Sequence, residues 1–369
     1  MDILVISLAG IGDTLFATPL IHELRLNFPT ARIDTLVLWA GSRDVLEGNP
    51  HLDKTYQKNL LKSGKLEALR LLGQLRRNNY DLSINTHPQS RIHYRLVARW
   101  INARTRISHE YDNRSVMDRW LVNRTIKQDY QRHSIENNLA LLELAGAKRM
   151  LPRHEYELYL SPAEQSWASD YLREQKLSER KLLGLHVGSG GTKNLALRRW
   201  PLEAYRELIK RLNESYPELE ILLLGGPEEE KDNLFLVAQT DRRLVFQPKT
   251  KSLRHAAALL RHCDLFLSVD TALMHVAAAM GVPKQIVIET PTWNKPIEPY
   301  RESFELVRNP AVAGRNLQYY RYDGSGIRGT RQELTKAMAS VSVEAVYQAV
   351  ARALAERGRG RSGSRSARS

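Results

Sequence analysis

The first forty residues restrict the fold more than any other stretch. Residues 3–8 form a continuous apolar run too short for a helix, and the turn 9–13 follows it. Leu20, Ile21, Leu24 and Phe28 then recur at helical spacing, and residues 33–38 are again a short apolar run. A buried strand, an amphipathic helix and a second buried strand, in that order, predict a parallel βαβ unit. Pro19 leaves two arrangements open: Thr18 caps a helix that begins at Pro19, or a helix starting near Asp13 is kinked there.

The alternation continues with predicted helices over 66–77, 92–100 and 134–144 and strands over 81–85 and 104–108. Ser161-Pro162 opens a connecting helix that runs to Gln175. A second series follows, with strands at 182–187, 220–224, 243–246, 264–268 and 285–288 and helices at 201–212, 228–238, 253–260 and 271–280. Two successive βα series predict an α/β protein of two doubly wound, Rossmann-like domains, 1–160 and 161–340. A helix over 341–356 closes the chain, with Ser342 as its cap and Val346, Val350 and Leu354 on one face; it could pack back on the first domain. Residues 357–369 contain only Arg, Gly, Ser and Ala and are expected to stay unfolded. No internal repeat is present.

A chain of 369 residues with 42% hydrophobic content is long enough for such a core and excludes bulk disorder. The lone Cys263 can form neither an intramolecular disulfide nor a thiolate cluster, which fits a reducing cytoplasm. The longest apolar candidate for a membrane span, 271–283, is too short and is interrupted by His275. Asp2 before the first apolar run is the wrong polarity for a signal peptide.

The net charge of +14 is concentrated. Residues 88–132 carry ten Lys or Arg and four acids, with Trp100, Tyr111 and Trp120 interleaved, and the terminal thirteen residues carry five arginines. Such surfaces suit an anionic partner, although a solvated arginine-rich helix face has the same composition. No RNA-binding motif or recognition helix accompanies them, so a specific nucleic-acid partner is not expected.

Several loops can carry chemistry. Gly10-Ile-Gly12-Asp13-Thr14 lies between a strand and a helix, where backbone N–H groups and the helix dipole favour an anion. It is not a dinucleotide fingerprint, since Leu15 occupies the third glycine position and Asp34 falls at the start of the second strand. Asp13 has two readings, a helix-capping carboxylate or a general base facing the crevice at the strand ends. In the second half, Gly-Ser189-Gly-Gly with Lys193, Arg198 and Arg199 before Trp200-Pro201 suits a diphosphate, the alternative being a surface loop with Trp200 as a packing staple. Glu228 to Glu230 at a helix start complement its dipole without any function. Asp270 and Thr271 open a helix after a buried strand, with Ala272 next and His275 on the same face as Thr271; small alanines let this helix approach the sheet. No Asp-x-Asp pair and no zinc-like histidine spacing occur, so no metal is expected.

The segments ILVISLAGIGDTLFATPLIHELRLNFP, GLHVGSGG with RRWPLEAYREL, LLLGGPEEE and DLFLSVDTALMHVAAAMGVP together resemble the ADP-heptose:lipopolysaccharide heptosyltransferases, glycosyltransferase family 9. The resemblance implies a GT-B fold, an acceptor on the first domain, an ADP-sugar on the second, and inversion of the sugar without metal or other cofactor. On that likeness Asp13 is the catalytic base, flanked by the acceptor-side Gly10, Gly12 and Thr14. Ser189, Lys193 and Arg198 face the diphosphate, Glu228 the ribose, and Asp270, Thr271, Ala272 and His275 the helix-mouth donor site. The implied partners are a nucleotide-sugar donor and an anionic, lipid-linked saccharide, in the cytoplasm with peripheral contact at the inner membrane. Departures from the family pattern are Ala272 in place of a glycine, Thr290 in place of another, and the lack of late cysteines over 309–331. Another nucleotide-sugar donor, a sugar-nucleotide epimerase and a non-catalytic nucleotide- or nucleic-acid-binding protein are the competing readings.

Overall fold

The computed structural model describes residues 1–113, 115–190, 195–241, 244–300, 303–319 and 327–360. The first domain runs β1 Asp2–Ser7, α1 Ile11–Leu15, α2 Thr18–Asn27, β2 Arg32–Val37, α3 Ala40–Leu46, β3 Lys54–Gln57, α4 Lys65–Arg77, β4 Leu82–Asn85, α5 Ile92–Ile101, β5 Thr105–Glu110, α6 Asp118–Leu121, β6 Arg124–Lys127 and α7 Ser134–Leu144. The second runs α8 Pro162–Glu174, β7 Lys181–Leu185, α9 Leu202–Ser215, β8 Leu219–Leu223, α10 Glu230–Gln239, β9 Val245–Phe246, α11 Leu253–Leu260, β10 Leu265–Val269, α12 Ala272–Ala279, β11 Lys284–Ile288, β12 Phe304–Val307, α13 Asn316–Tyr319, α14 Arg331–Ala339 and α15 Val343–Gly360.

Both sheets are parallel and six-stranded, in the orders β3-β2-β1-β4-β5-β6 and β12-β11-β10-β7-β8-β9. The strand order reverses between β1 and β4 in one sheet and between β7 and β10 in the other. A crevice opens at the carboxyl ends of the strands at each such point, which is where ligands of this architecture bind. The loops after β1 and β10, singled out above for their residues, sit at these two points.

Pro19 resolves into an arrangement between the two expected. A short α1 ends at Leu15, and α2 starts at Thr18 with Pro19 in its first turn, where a missing N–H costs nothing. Ser161 caps α8 as its sequence implied: it accepts from Glu164 N–H, while the Glu164 carboxylate accepts Ser161 N–H at 2.7 Å. The closing helix differs from expectation. It extends to Gly360 rather than ending at 356, so the start of the stretch expected to be unfolded is helical; residues 361–369 lie outside the described residues. It also packs on α9, β11 and β12 of the second domain, not back on the first: Val346, Ala349, Val350 and Leu354 join the core of that domain.

The two domains share apolar material. One buried cluster combines Ile3, Val5, Leu15, Phe16 and Leu20 of the first with Leu259, Met274, Val276 and Trp293 of the second. At the far end of this seam Arg254 on α11 acts as a rivet. Its Nε and Nη2 donate to Glu164 on α8 at 2.5 and 2.8 Å, its Nη1 donates to the carbonyls of Asp44 and Glu47 at the end of α3, and Nη2 donates to Tyr159 O. A guanidinium at a helix carboxyl end meets carbonyls that lack helical partners and the negative pole of the dipole.

The hydrogen bond from Arg254 pulls the Glu164 carboxyl down to about 2 from its ordinary 4.5, helped by Ser161 and opposed by burial. A carboxyl held below its unfolded value stabilises the fold fully above the ordinary pKa and loses that contribution as pH falls toward 2. Glu164→Gln should therefore lower stability on the order of 2 kcal/mol at pH 7 and much less at pH 2.5. Thermal unfolding at both values checks this; an equal loss at both would remove the ionic role of Glu164.

Candidate active site

On the first-domain side, the chain leaves β1 through Leu8 and Ala9 and turns at Gly10 into α1. Asp13, half-buried in the first turn, accepts the Gly10 N–H on Oδ2 at 2.6 Å, which fixes the carboxylate. The capping role open to Asp13 is thus real, and it orients the group. Thr14 is buried; it donates to Gly10 O or Ser42 Oγ, at 3.2 and 2.9 Å, and lies 3.4 Å from Ser7 Oγ, so it supports the turn from beneath. Trp39 Nε1 donates to Ala9 O at 2.7 Å.

The loop after β4 borders the same crevice and went unremarked in the sequence. His87 N–H donates to Asn138 Oδ1 at 2.6 Å, Gln89 N–H to Tyr111 Oη at 2.8 Å, and Arg95 Nη1 to Ser90 O at 3.0 Å. Arg95 is itself buried against Asp118 at 2.8 Å. Burial, together with the nearby Asp13 charge, raises the pKa values of Tyr94 and Tyr111 even though Arg91 and Arg95 oppose it.

Across the cleft, Arg198 is buried and already engaged. Its Nη1 lies 2.5 Å from Asp270 Oδ2 and 3.1 Å from Thr292 Oγ1, and its Nε donates to Ser189 Oγ at 3.2 Å. Ser189 Oγ passes a bond on to Leu195 O. Nη2 of Arg198 has no partner among the described residues. Burial raises the Asp270 pKa, and Arg198 and Thr292 oppose that rise. Lys193 lies outside the described residues. Thr271 caps α12 by accepting Leu273 N–H at 3.1 Å, so the remaining amino-terminal N–H groups of the helix face the crevice with the positive end of its dipole.

Two expected donor-site residues are placed differently from their neighbours. Glu228 is exposed, 4.0 Å from Arg199, while the adjacent Glu229 is buried beneath the β7 loop: it accepts Gly226 N–H at 2.9 Å, meets Arg199 Nη2 at 2.9 Å, and sits where a Cβ on Gly188 would collide with it. Nothing in three consecutive glutamates says which one turns inward. Trp200 is a packing staple, donating to Val341 O at 2.9 Å and set edge-on to Tyr205. His275 stands beside the helix mouth, next to the Gly12 backbone. It lies buried in the seam, bonded through Nδ1 to Tyr156 Oη at 3.1 Å and edge-on to Phe16 at 4.7 Å. Burial, with His133 and Arg198 nearby, pushes its pKa down to about 3, so the ring is neutral at physiological pH.

His275 also explains a glycine. A Cβ at Gly12 would stand 2.6 Å from His275 Cδ2 and 3.6 Å from Ala272 Cα, so α1 touches the mouth of α12 through bare backbone. The turn that carries Asp13 and the helix end that Asp270 and Thr271 shape thereby meet across the cleft. Thr292, two residues after Thr290 in the stretch that departs from the family pattern, and Tyr156, which carries no local motif, complete the two sides. Among the described residues one grouping has the donor set for a metal ion, His22, His51 and Glu157, a juxtaposition that histidine spacing did not reveal. Its members satisfy one another, with His22 Nδ1 2.7 Å from Glu157 and Tyr159 Oη donating to the same carboxylate at 2.9 Å.

With this geometry in view, comparison with known proteins is decisive. Residues 68–321 match the family model described as glycosyltransferase family 9 (heptosyltransferase). The chain belongs to that family. It is a glycosyltransferase. It is 28% identical over 282 residues to lipopolysaccharide heptosyltransferase 3 of Escherichia coli strain K12, covering 74% of this chain and 78% of the relative. It is 30% identical over 302 residues to lipopolysaccharide heptosyltransferase 2 of Salmonella typhimurium strain LT2, covering 77% and 81%. Among solved structures, E. coli heptosyltransferase WaaC with ADP superposes with a TM-score of 0.68 at 20% identity, over 96% of this chain and all of that one, which shows the shared two-domain GT-B fold.

The Gly12 contact gives a prediction. Gly12→Ala must displace His275 or part α1 from α12, at a cost of about 1 to 3 kcal/mol, and should lower turnover of the folded enzyme by more than tenfold. Unfolding curves and steady-state rates measured on one preparation check this; an unchanged rate would mean that the seam does not set the cleft geometry.

Proposed function

We propose that this glycosyltransferase moves a heptose from an ADP-sugar to a hydroxyl of a lipopolysaccharide core acceptor, inverting the anomeric carbon and using no metal. The observation that carries this reading is the meeting of the Asp13 turn with the mouth of α12 through Gly12, which puts a fixed carboxylate opposite a cationic, dipolar pocket. Family membership and the names of the relatives support heptose and lipopolysaccharide, and the ADP in the WaaC structure supports the donor.

The acceptor hydroxyl oxygen attacks the anomeric carbon from the face opposite the diphosphate, the carbon–oxygen bond to the diphosphate breaks, and its electron pair leaves with ADP. Asp13 takes the hydroxyl proton as the attack proceeds. Nη2 of Arg198, the N–H groups at the start of α12 and, from its place in the sequence, Lys193 offset charge on the leaving group. Ser189 and Thr292 aim the guanidinium, and the ribose role of Glu228 rests on the family likeness. The acceptor is lipid-linked and anionic, so the enzyme works against the cytoplasmic face of the inner membrane.

Asp13→Asn should cut turnover by ~100-fold or more with ADP affinity nearly intact, because only proton acceptance is lost. Loss of stability with unchanged activity per folded molecule would reduce Asp13 to a helix cap. Arg198→Ala should weaken ADP binding by ~1.5 to 3 kcal/mol, and Arg198→Lys should restore much of it. Adenosine, which lacks the diphosphate, should bind all three proteins alike. Since Arg198→Ala strands Asp270 in the interior, calorimetry is repeated in an Asp270→Asn background; equal losses for both ligands would assign Arg198 to holding the β7 loop.

A further inference from the structure

The large apolar side chains left exposed are not scattered. Of the twelve found among the described residues, eight fall within residues 61–120. Leu66 and Leu69 stand on α4, Leu96 and Trp100 one turn apart on α5, and Met117 and Trp120 at α6; Trp100 is 48% and Trp120 60% exposed. These helices are neighbours, with α5 packed between the other two, so the side chains share one face. Arg76 on α4 donates to Trp100 O at 3.1 Å, and the Arg99 guanidinium lies 4.5 Å over the Trp120 ring.

This face points away from the cleft. The inner sides of α4 and α5 cover Leu4, Ile6 and Leu36 on one side of the first sheet, whereas Ile3, Val5 and Ile33 on the other side join the core shared with the second domain. The charge around it is one-sided: residues 58–77 and 91–121 contain thirteen Lys or Arg and four acids. Two of the four acids are consumed locally, Glu67 by Lys58 at 2.6 Å and Asp118 by Arg95. Arg104 and Arg119 remain largely exposed.

Tryptophan, leucine and methionine ringed by long cationic side chains match a membrane interface, where indole rings settle at headgroup level and each Lys or Arg near an anionic surface adds attraction. No described helix is long and apolar enough to cross a membrane, so the contact is peripheral. We propose that the outer face of α4, α5 and α6 docks on an anionic phospholipid bilayer, with Trp100 and Trp120 entering the interface. The proposal rests on the reading of a lipid-linked acceptor and supplies the surface that such a substrate requires. Part of the basic stretch 88–132 is thereby separated from structural use, since Arg95, Arg106 and Arg124 spend their guanidinium groups on internal partners.

Flotation of the full-length protein with phosphatidylcholine vesicles, with and without phosphatidylglycerol, tests the proposal. Binding is expected only with phosphatidylglycerol, falling as salt rises. Trp100→Ser/Trp120→Ser and, independently, Leu66→Ser/Leu69→Ser should each weaken it by about tenfold or more at unchanged melting temperature. Brominated lipids should quench wild-type tryptophan fluorescence and not that of the first variant. Failure of the wild type to float, or binding by the variants as tight as wild type, would overturn the proposal, as would capture by heparin with none by vesicles. Turnover on a delipidated core saccharide separates the two readings: it should be equal in wild type and variants. Its absence in all of them alongside vesicle binding would sink the acceptor assignment and leave the docking face standing.

Discussion

Two parallel sheets can work on one substrate pair only if their carboxyl edges are held face to face, and the contact that does this is backbone at Gly12 against the ring of His275. There the Asp13 turn meets the mouth of α12. The ring is held neutral by burial, since among the described residues a charged imidazole in that seam would have only the Tyr156 hydroxyl as partner. Phe16 and Tyr156 pack around the same ring, so the join is both polar and apolar. At the opposite end Arg254 ties α3, α8 and α11 together through one guanidinium. Between these points the domains share a core and further polar contacts, His133 Nε2 2.8 Å from Glu298 O and Ser134 Oγ donating to Pro296 O at 2.8 Å.

The fold was legible because most strands are buried on both faces and so are rich in apolar residues, β1, β7 and β10 most plainly. Of the strands missed, β12 is a short four-residue edge, and β3 and β6 break that rule. β3, Lys-Thr-Tyr-Gln, and β6, Arg-Thr-Ile-Lys, are edge strands with side chains partly in solvent, and their sequences look polar. In the cleft, the loops after β1, β7 and β10 were visible because each is contiguous. Tyr156 and the β4 loop were not, since they reach the cleft only through folding, and Glu229 was indistinguishable from its two neighbours until the backbone turned it beneath Gly188.

The basic composition also acquires an internal logic. Arg95, Arg198, Arg199 and Arg254 are each buried or half-buried against carboxylates, and each fixes a loop that borders the cleft or the seam. Arginine suits this work because a planar fork can serve a carboxylate and a carbonyl at once. Truncating any of them would strand an acid, which explains why such loops keep one shape. On the far side of the first domain cations outnumber acids, thirteen to four over residues 58–77 and 91–121.

The single cysteine has a use unconnected with chemistry at the cleft. Cys263 is buried at the end of α11, and burial pushes its thiol up to about 12, so it stays protonated and shielded from alkylating reagents. A thiol introduced on the surface would therefore be the one reactive sulfur in the native chain. Two such positions, one on each domain, would carry a spectroscopic ruler without any need to remove a native residue, and the separation of the two domains becomes a distance that can be read in solution, with donor present or absent.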